Sequence, residues 1–147
     1  MRLLIRHILL AFGLLLLSGW LLFQVPRDPK QAYHFVRQDC YEHGDWIHQR
    51  LFEQSLPVDV AFLGTSVTIH AVHDSLVQVA LSSMLPQDST LEVVNLGYCR
   101  PGMDLHYTIL KDVFATKRPR LVVLEIPRAS NTDSHPIFAN LAEAEEI

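Results

Sequence analysis

The sharpest feature of the hydropathy pattern lies at the N-terminus. Ile8 to Val25 (ILLAFGLLLLSGWLLFQV) is an uncharged run of 18 residues, near the short limit for a bilayer-crossing helix. At about 1.5 Å rise per residue it reaches roughly 27 Å, leaving little room for tilt. Trp20 and Phe23 fall near its far end, where aromatic rings suit a membrane interface. Arg2, Arg6 and His7 precede the run, while Arg27 and Lys30 follow it. The short basic leader favours an N-inside orientation. The competing reading is a cleaved signal peptide. Against it, the run is long for such a segment, Ser18 and Gly19 lie inside it, and no Cys follows closely.

After a polar exit at Pro26–Lys30, the pattern changes to that of a folded domain. Residues 31–54 carry Tyr33, Phe35, Val36, Cys40, Trp46, Ile47, Leu51 and Phe52 at loosely helical spacing, interrupted by Gly44. This predicts two short helices packing on the domain. Val58–Leu63, Leu91–Leu96 and Leu121–Ile126 are short apolar runs rich in β-branched residues, each bounded by Gly or Pro signals, and read as buried strands. Between the first two, a helix starting at Asp74 would turn Leu76, Val79, Ala80 and Ser83 inward. Between the second and third, Leu105, Ile109 and Val113, with Leu110 and Phe114, form one helical face that ends at Lys117, Arg118 and Pro119. Phe138–Ile147 begins a further helix.

Alternating strands and helices predict an α/β fold: a parallel sheet flanked by helices, preceded by one transmembrane helix. The implied organisation is a cytoplasmic tail at 1–7, a signal-anchor at 8–25, a linker with packing helices at 26–57 and an α/β domain at 58–147. Right-handed crossovers place Ser66, Gly97 and the residues after Ile126 along the C-terminal edge of the sheet, where such folds bind ligands.

Composition adjusts this picture only slightly. The chain has 147 residues, 12 basic and 16 acidic, for a formal net charge of -4. No basic stripe with interleaved aromatics exists, so nucleic acid is not an expected partner. The two cysteines, Cys40 and Cys99, are either a disulfide of an oxidising compartment or unrelated thiols. Of the eight histidines, His70 and His73 flank the turn after the first strand, but no spacing matches a zinc signature, and neither metal nor cofactor is expected.

Two strand-end segments carry the candidate chemistry. In FLGTS, Phe62–Ser66, a serine follows a buried strand on a rigid platform, and the turn can aim backbone N–H groups at a developing oxyanion. The plainer reading of Ser66 is a helix cap. In NLGYCRPG, Asn95–Gly102, Gly97 can offer an unhindered N–H; its plainer reading is a turn glycine with positive φ. Glu125, in the third apolar run, must be paired or neutral. Its partner is either a structural one, such as Arg128 or Arg100, or it is a rim carboxylate beside Ser66.

Taken together, GTS at 64–66 and Asn95-Leu96-Gly97 resemble the first two blocks of the SGNH/GDSL hydrolase family over roughly residues 58–128. The resemblance is closest to its membrane-anchored envelope branch, where GTS replaces GDS. It implies an SGNH/flavodoxin-like fold, of which this chain is the N-terminal part. It also implies Ser66 as nucleophile, Gly97 as oxyanion donor and an esterase or acyltransferase acting on acyl or acetyl groups of cell-envelope polymers. The implied surroundings are the extracytoplasmic side of the plasma or inner membrane, with an envelope polysaccharide or an acyl-donor protein as partner. Two departures qualify it. Near the third strand the chain reads EIPRASN, leaving Asn131 as the nearby amide candidate for the oxyanion. No D-x-x-H block supplies a base, and Asp133-Ser134-His135 has the wrong spacing. The sequence therefore looks cut within a helix, and residues 1–147 alone are expected to have little hydrolase activity. The alternative is a non-catalytic anchored binding or assembly protein.

Overall fold

A computed structural model describes residues 2–24, 28–36, 40–86, 91–100, 102–126 and 133–142. The apolar N-terminal run forms helix α1, Arg2–Phe23. Its stretch Leu3–Leu22 is long and apolar enough to cross a membrane. The helix thus begins about two turns before Ile8 and includes Arg6 and His7. The His7 Nδ1–Leu3 carbonyl contact of 2.7 Å lies within that first segment. Val25 lies outside the described residues.

Residues 29–53 form a helical layer that packs on the domain: α2 (Pro29–Phe35), a 3₁₀ turn (Cys40–Glu42), and α3 (His43–His48) running into a π turn (Gln49–Glu53). Gly44 lies inside α3 and does not break it, contrary to the spacing argument. Tyr33, Val36, Cys40, Ile47 and Leu51 are buried in the same core as the sheet. The segment belongs to the folded unit because its apolar residues have no other surface to cover.

The sheet has three parallel strands in the order β2-β1-β3. They are β1 (Val60–Leu63), β2 (Val93–Asn95) and β3 (Leu121–Leu124). All three are shorter than the apolar runs that announce them. Pairing begins only at Val60, level with Val93 and Leu121. The chain leaves β1 for β2 in one direction and β2 for β3 in the other, so right-handed crossovers put their helices on opposite faces. Helix α6 (Met103–Thr116) covers one face, packing Leu105, Ile109 and Val113 against Ala61, Leu63, Val94 and the α2–α3 layer. As expected, these three form its inner stripe; Phe114 instead turns to solvent. Lys117 Nζ donates to the carbonyls of Gln54 and Leu56, fixing the end of α6 to the start of the domain. The short α7 (Phe138–Leu141) contacts α2 and α6.

The other face carries α4 (Ser66–Ala71) and α5 (Asp74–Ser83). Here the expected inward face of α5 is reversed. Leu76, Val79, Ala80 and Ser83 are exposed, while Val77, Gln78, Leu81 and Ser82 are half-buried. The extra helix α4, which the pattern did not announce, sets the helix phase. A specific bond then fixes it, as Gln78 Oε1 accepts the Val93 N–H at 3.1 Å. β3 is an edge strand whose Leu121, Val123 and Leu124 are exposed.

Candidate active site at the C-terminal edge of the sheet

The turn after β1 is built around Glu125. β3 ends at Leu124, and the Glu125 N–H donates to the Leu63 carbonyl at 2.8 Å, extending the pairing by one step. The carboxylate then swings across to β1. It accepts the Thr65 N–H at 2.8 Å, the Thr65 hydroxyl at 3.0 Å and the Thr68 hydroxyl at 2.5 Å. Thr65 and Thr68, and not Arg100, are therefore its partners among the described residues, and Arg128 lies outside them. Burial alone would push this carboxyl up, but the hydrogen bonds from Thr68 and Thr65 outweigh it and hold the pKa below the ordinary value.

Gly64 makes this arrangement possible. A Cβ there would overlap the Thr68 hydroxyl and meet Glu125 Oε2 at 2.5 Å. Thr65 is the helix cap, its hydroxyl accepting the Val67 N–H at 3.2 Å. Ser66 is consequently the first residue of α4 and not its cap. Its side chain is half-buried and has no hydrogen-bond partner among the described residues.

Gly97 sits at the neighbouring strand end, but its N–H donates to Asn95 Oδ1 at 3.0 Å. It does not have positive φ. The glycine is required because α4 approaches closely: a Cβ would lie 3.2 Å from the Ile69 nitrogen. Asn95 is the link between strand and helix. Its Nδ2 donates to the Thr68 carbonyl at 3.0 Å and the Val72 carbonyl at 2.8 Å, satisfying carbonyls at the end of α4. Asn131 lies outside the described residues.

No family model, curated protein or solved structure matches the chain.

Two buried histidines face this edge from the α6 side. His135 is committed to structure: Nε2 lies 2.6 Å from the Cys99 carbonyl and Nδ1 accepts the Ile137 N–H at 3.2 Å. That pairing requires the neutral tautomer with hydrogen on Nε2. Asp104 holds the preceding turn, accepting from the Ser134 hydroxyl and the His135 N–H. Thus Asp133-Ser134-His135 forms a structural corner. His106 differs. It is 2% exposed, and neither ring nitrogen has a hydrogen-bond partner among the described residues. Burial pushes its pKa down, only partly opposed by the Gly64 carbonyl, Glu125 and Asp104.

Cys40 and Cys99 form a disulfide with a Cα–Cα distance of 5.4 Å. The bridge ties the α2–α3 layer to the loop that follows Gly97. An open cleft of about 390 Å³ is lined by His43, Trp46, Ile69, Val72, His73, Asp74 and Asn95. Burial lowers the His43 pKa. The described residues contain no cluster of His, Cys, Asp and Glu that could hold a metal ion.

Thr65, Thr68 and His106 escaped the sequence reading. The threonines offered a signal in the GTSVT run, since hydroxyls one turn apart at a helix start can share one acceptor. His106 offered only its place beside Leu105 on the buried stripe of α6.

Proposed function

We propose that this chain carries the anchor and the Ser66 strand-end block of a membrane-anchored, SGNH-like serine esterase or acyltransferase that acts on acyl or acetyl groups of cell-envelope polymers. One observation carries this reading. The Ser66 turn ends the central strand, at the point where the strand order reverses, and it is immobilised from β3 by Glu125. That crevice is where open parallel sheets bind ligands. In the reaction, the Ser66 Oγ attacks an acyl carbonyl while its hydroxyl proton passes to water, and its own N–H stabilises the oxyanion. Collapse of the tetrahedral intermediate breaks the ester C–O bond, releasing the protonated alcohol and leaving an acyl-serine. The Gly97 N–H joins it by exchanging its bond to Asn95 Oδ1. The Cys40–Cys99 bridge supports an oxidising, extracytoplasmic location, which agrees with an N-inside α1.

A second reading is a non-catalytic anchored binding or assembly protein. Its support is that the Gly97 and Thr65 N–H groups are already engaged by Asn95 and Glu125, and that His135 has both ring nitrogens in use. The two readings separate in one experiment on the full chain in detergent or vesicles. The enzymatic reading expects a fluorophosphonate probe to label the protein at Ser66 and a small acetyl ester to be cleaved slowly at most, with both signals lost in Ser66→Ala. Absent labelling, or labelling unchanged in Ser66→Ala, decides for the binding protein.

A further inference from the structure

Helix α5 is apolar on two sides. Val77 and Leu81 lie half-buried with Gln78, which holds the helix to β2. Leu76, Val79 and Met84, the last at its C-cap, are 66%, 69% and 78% exposed. Leu76 and Val79 share one stripe of the helix, Met84 follows its last turn, and no residue of α5 is buried. Val67 on α4 is exposed as well. From Ser66 to Leu85 the crossover contains one formally charged residue, Asp74, and no Lys or Arg. A helix apolar on both sides belongs between two apolar phases, and the sheet supplies one of them.

The chain itself indicates the second. Helix α1 ends at Phe23 and α2 begins at Pro29, so five residues join them. Such a segment spans at most roughly 20 Å. Ala32 and Tyr33 of α2 are buried in the core, so α2 cannot peel away to lengthen the tether. With α1 in a bilayer, the domain is held against that bilayer's surface.

We propose that the outer face of α5, with Val67, rests in the interfacial layer of the membrane that α1 anchors. The proposal rests on the reading of α1 as a membrane anchor. The face holds no cation for anionic headgroups, so its contact is apolar burial, insensitive to salt and suited to zwitterionic lipid. Ser66 begins the same crossover, which brings the candidate nucleophile close to the lipid surface.

The test uses the full chain in phosphatidylcholine vesicles containing lipid with brominated acyl chains. In the native chain, quenching of Trp20 reports on the anchor. In a Trp20→Phe background, Leu76→Trp and Val79→Trp report on the proposed face and Asn140→Trp on exposed α7; Trp46 is a constant background. Quenching at Leu76→Trp and Val79→Trp is expected to exceed that at Asn140→Trp by at least about twofold and to persist in high salt. Equal quenching at all three, with Trp20 quenched in the native chain, overturns the docking and leaves the anchor standing. Unquenched Trp20 overturns both. A benzoylphenylalanine photocross-linker at position 79 is expected to form lipid adducts. Adducts only to a second copy or another protein, or none at all, count against the bilayer.

Discussion

The Glu125 carboxylate receives both the backbone N–H and the hydroxyl of Thr65, a residue 60 positions away in sequence. This contact decides where Ser66 stands, because it fixes the turn between the central strand and α4 from the neighbouring strand.

Replacing Glu125 with Gln keeps the shape and removes the charge. Hydrogen bonds to a charged group contribute about 1.5–3 kcal/mol net, and half-exposure lowers that here, so Glu125→Gln is expected to cost about 1–2 kcal/mol in chemical denaturation. The sign with pH follows from the depressed pKa. The stabilisation is complete above the ordinary value of 4.5 and is lost as pH falls through the lower folded value. The wild type should therefore lose stability on this acid limb, and Glu125→Gln should flatten it. Identical acid profiles would contradict the assignment.

Asn95 offers a discriminating substitution. Its Nδ2 faces the carbonyls of Thr68 and Val72. In Asn95→Asp that donor becomes an oxygen opposed to carbonyl oxygens. We expect a loss of about 2–4 kcal/mol, larger than for Asn95→Ala, which leaves groups unsatisfied without adding repulsion. Thermal denaturation of the two variants supplies the comparison, and a more stable Asp variant would refute the geometry.

The Cys40–Cys99 bridge closes a sequence separation of 59 residues. Chain-entropy reasoning assigns such a loop about 4 kcal/mol. Cys40→Ser, or a reductant, should lower the denaturation midpoint accordingly. Mass spectrometry of the non-reduced protein should find one fewer pair of thiol hydrogens than the reduced chain.

Burial keeps His106 neutral, with Glu125, Asp104 and His135 as its charged or titratable neighbours. Its folded pKa lies below the ordinary 6.5, so the unfolded chain binds more protons in that window. Stability should then rise with pH through the window and fall as the solution is acidified. His106→Leu should remove part of that slope below about pH 6.5. An unchanged slope would mean that another group carries it.

Some of this architecture was legible early because it rests on local pattern. The period-3.6 stripe Leu105–Ile109–Val113 named the inner face of α6 without help from any neighbour. Other features were hidden because they depend on which neighbour arrives. The α5 sequence has apolar residues on both sides, so periodicity could not say which side meets the sheet; α4 and the Gln78–Val93 bond decided it.

By itself, then, the sequence determined the apolar N-terminal helix, the βαβ alternation and the place of Ser66 and Gly97 at strand ends, since hydropathy period and Gly/Pro punctuation are properties of short segments. Only the tertiary structure decided the β2-β1-β3 order, the partners of Glu125 and Asn95, and the pairing of Cys40 with Cys99. Apart from the local Asn95–Gly97 bond, each of these is a contact between residues more than 20 positions apart. Long-range hydrogen bonds and cross-links are chosen by packing and leave no periodic mark on the chain.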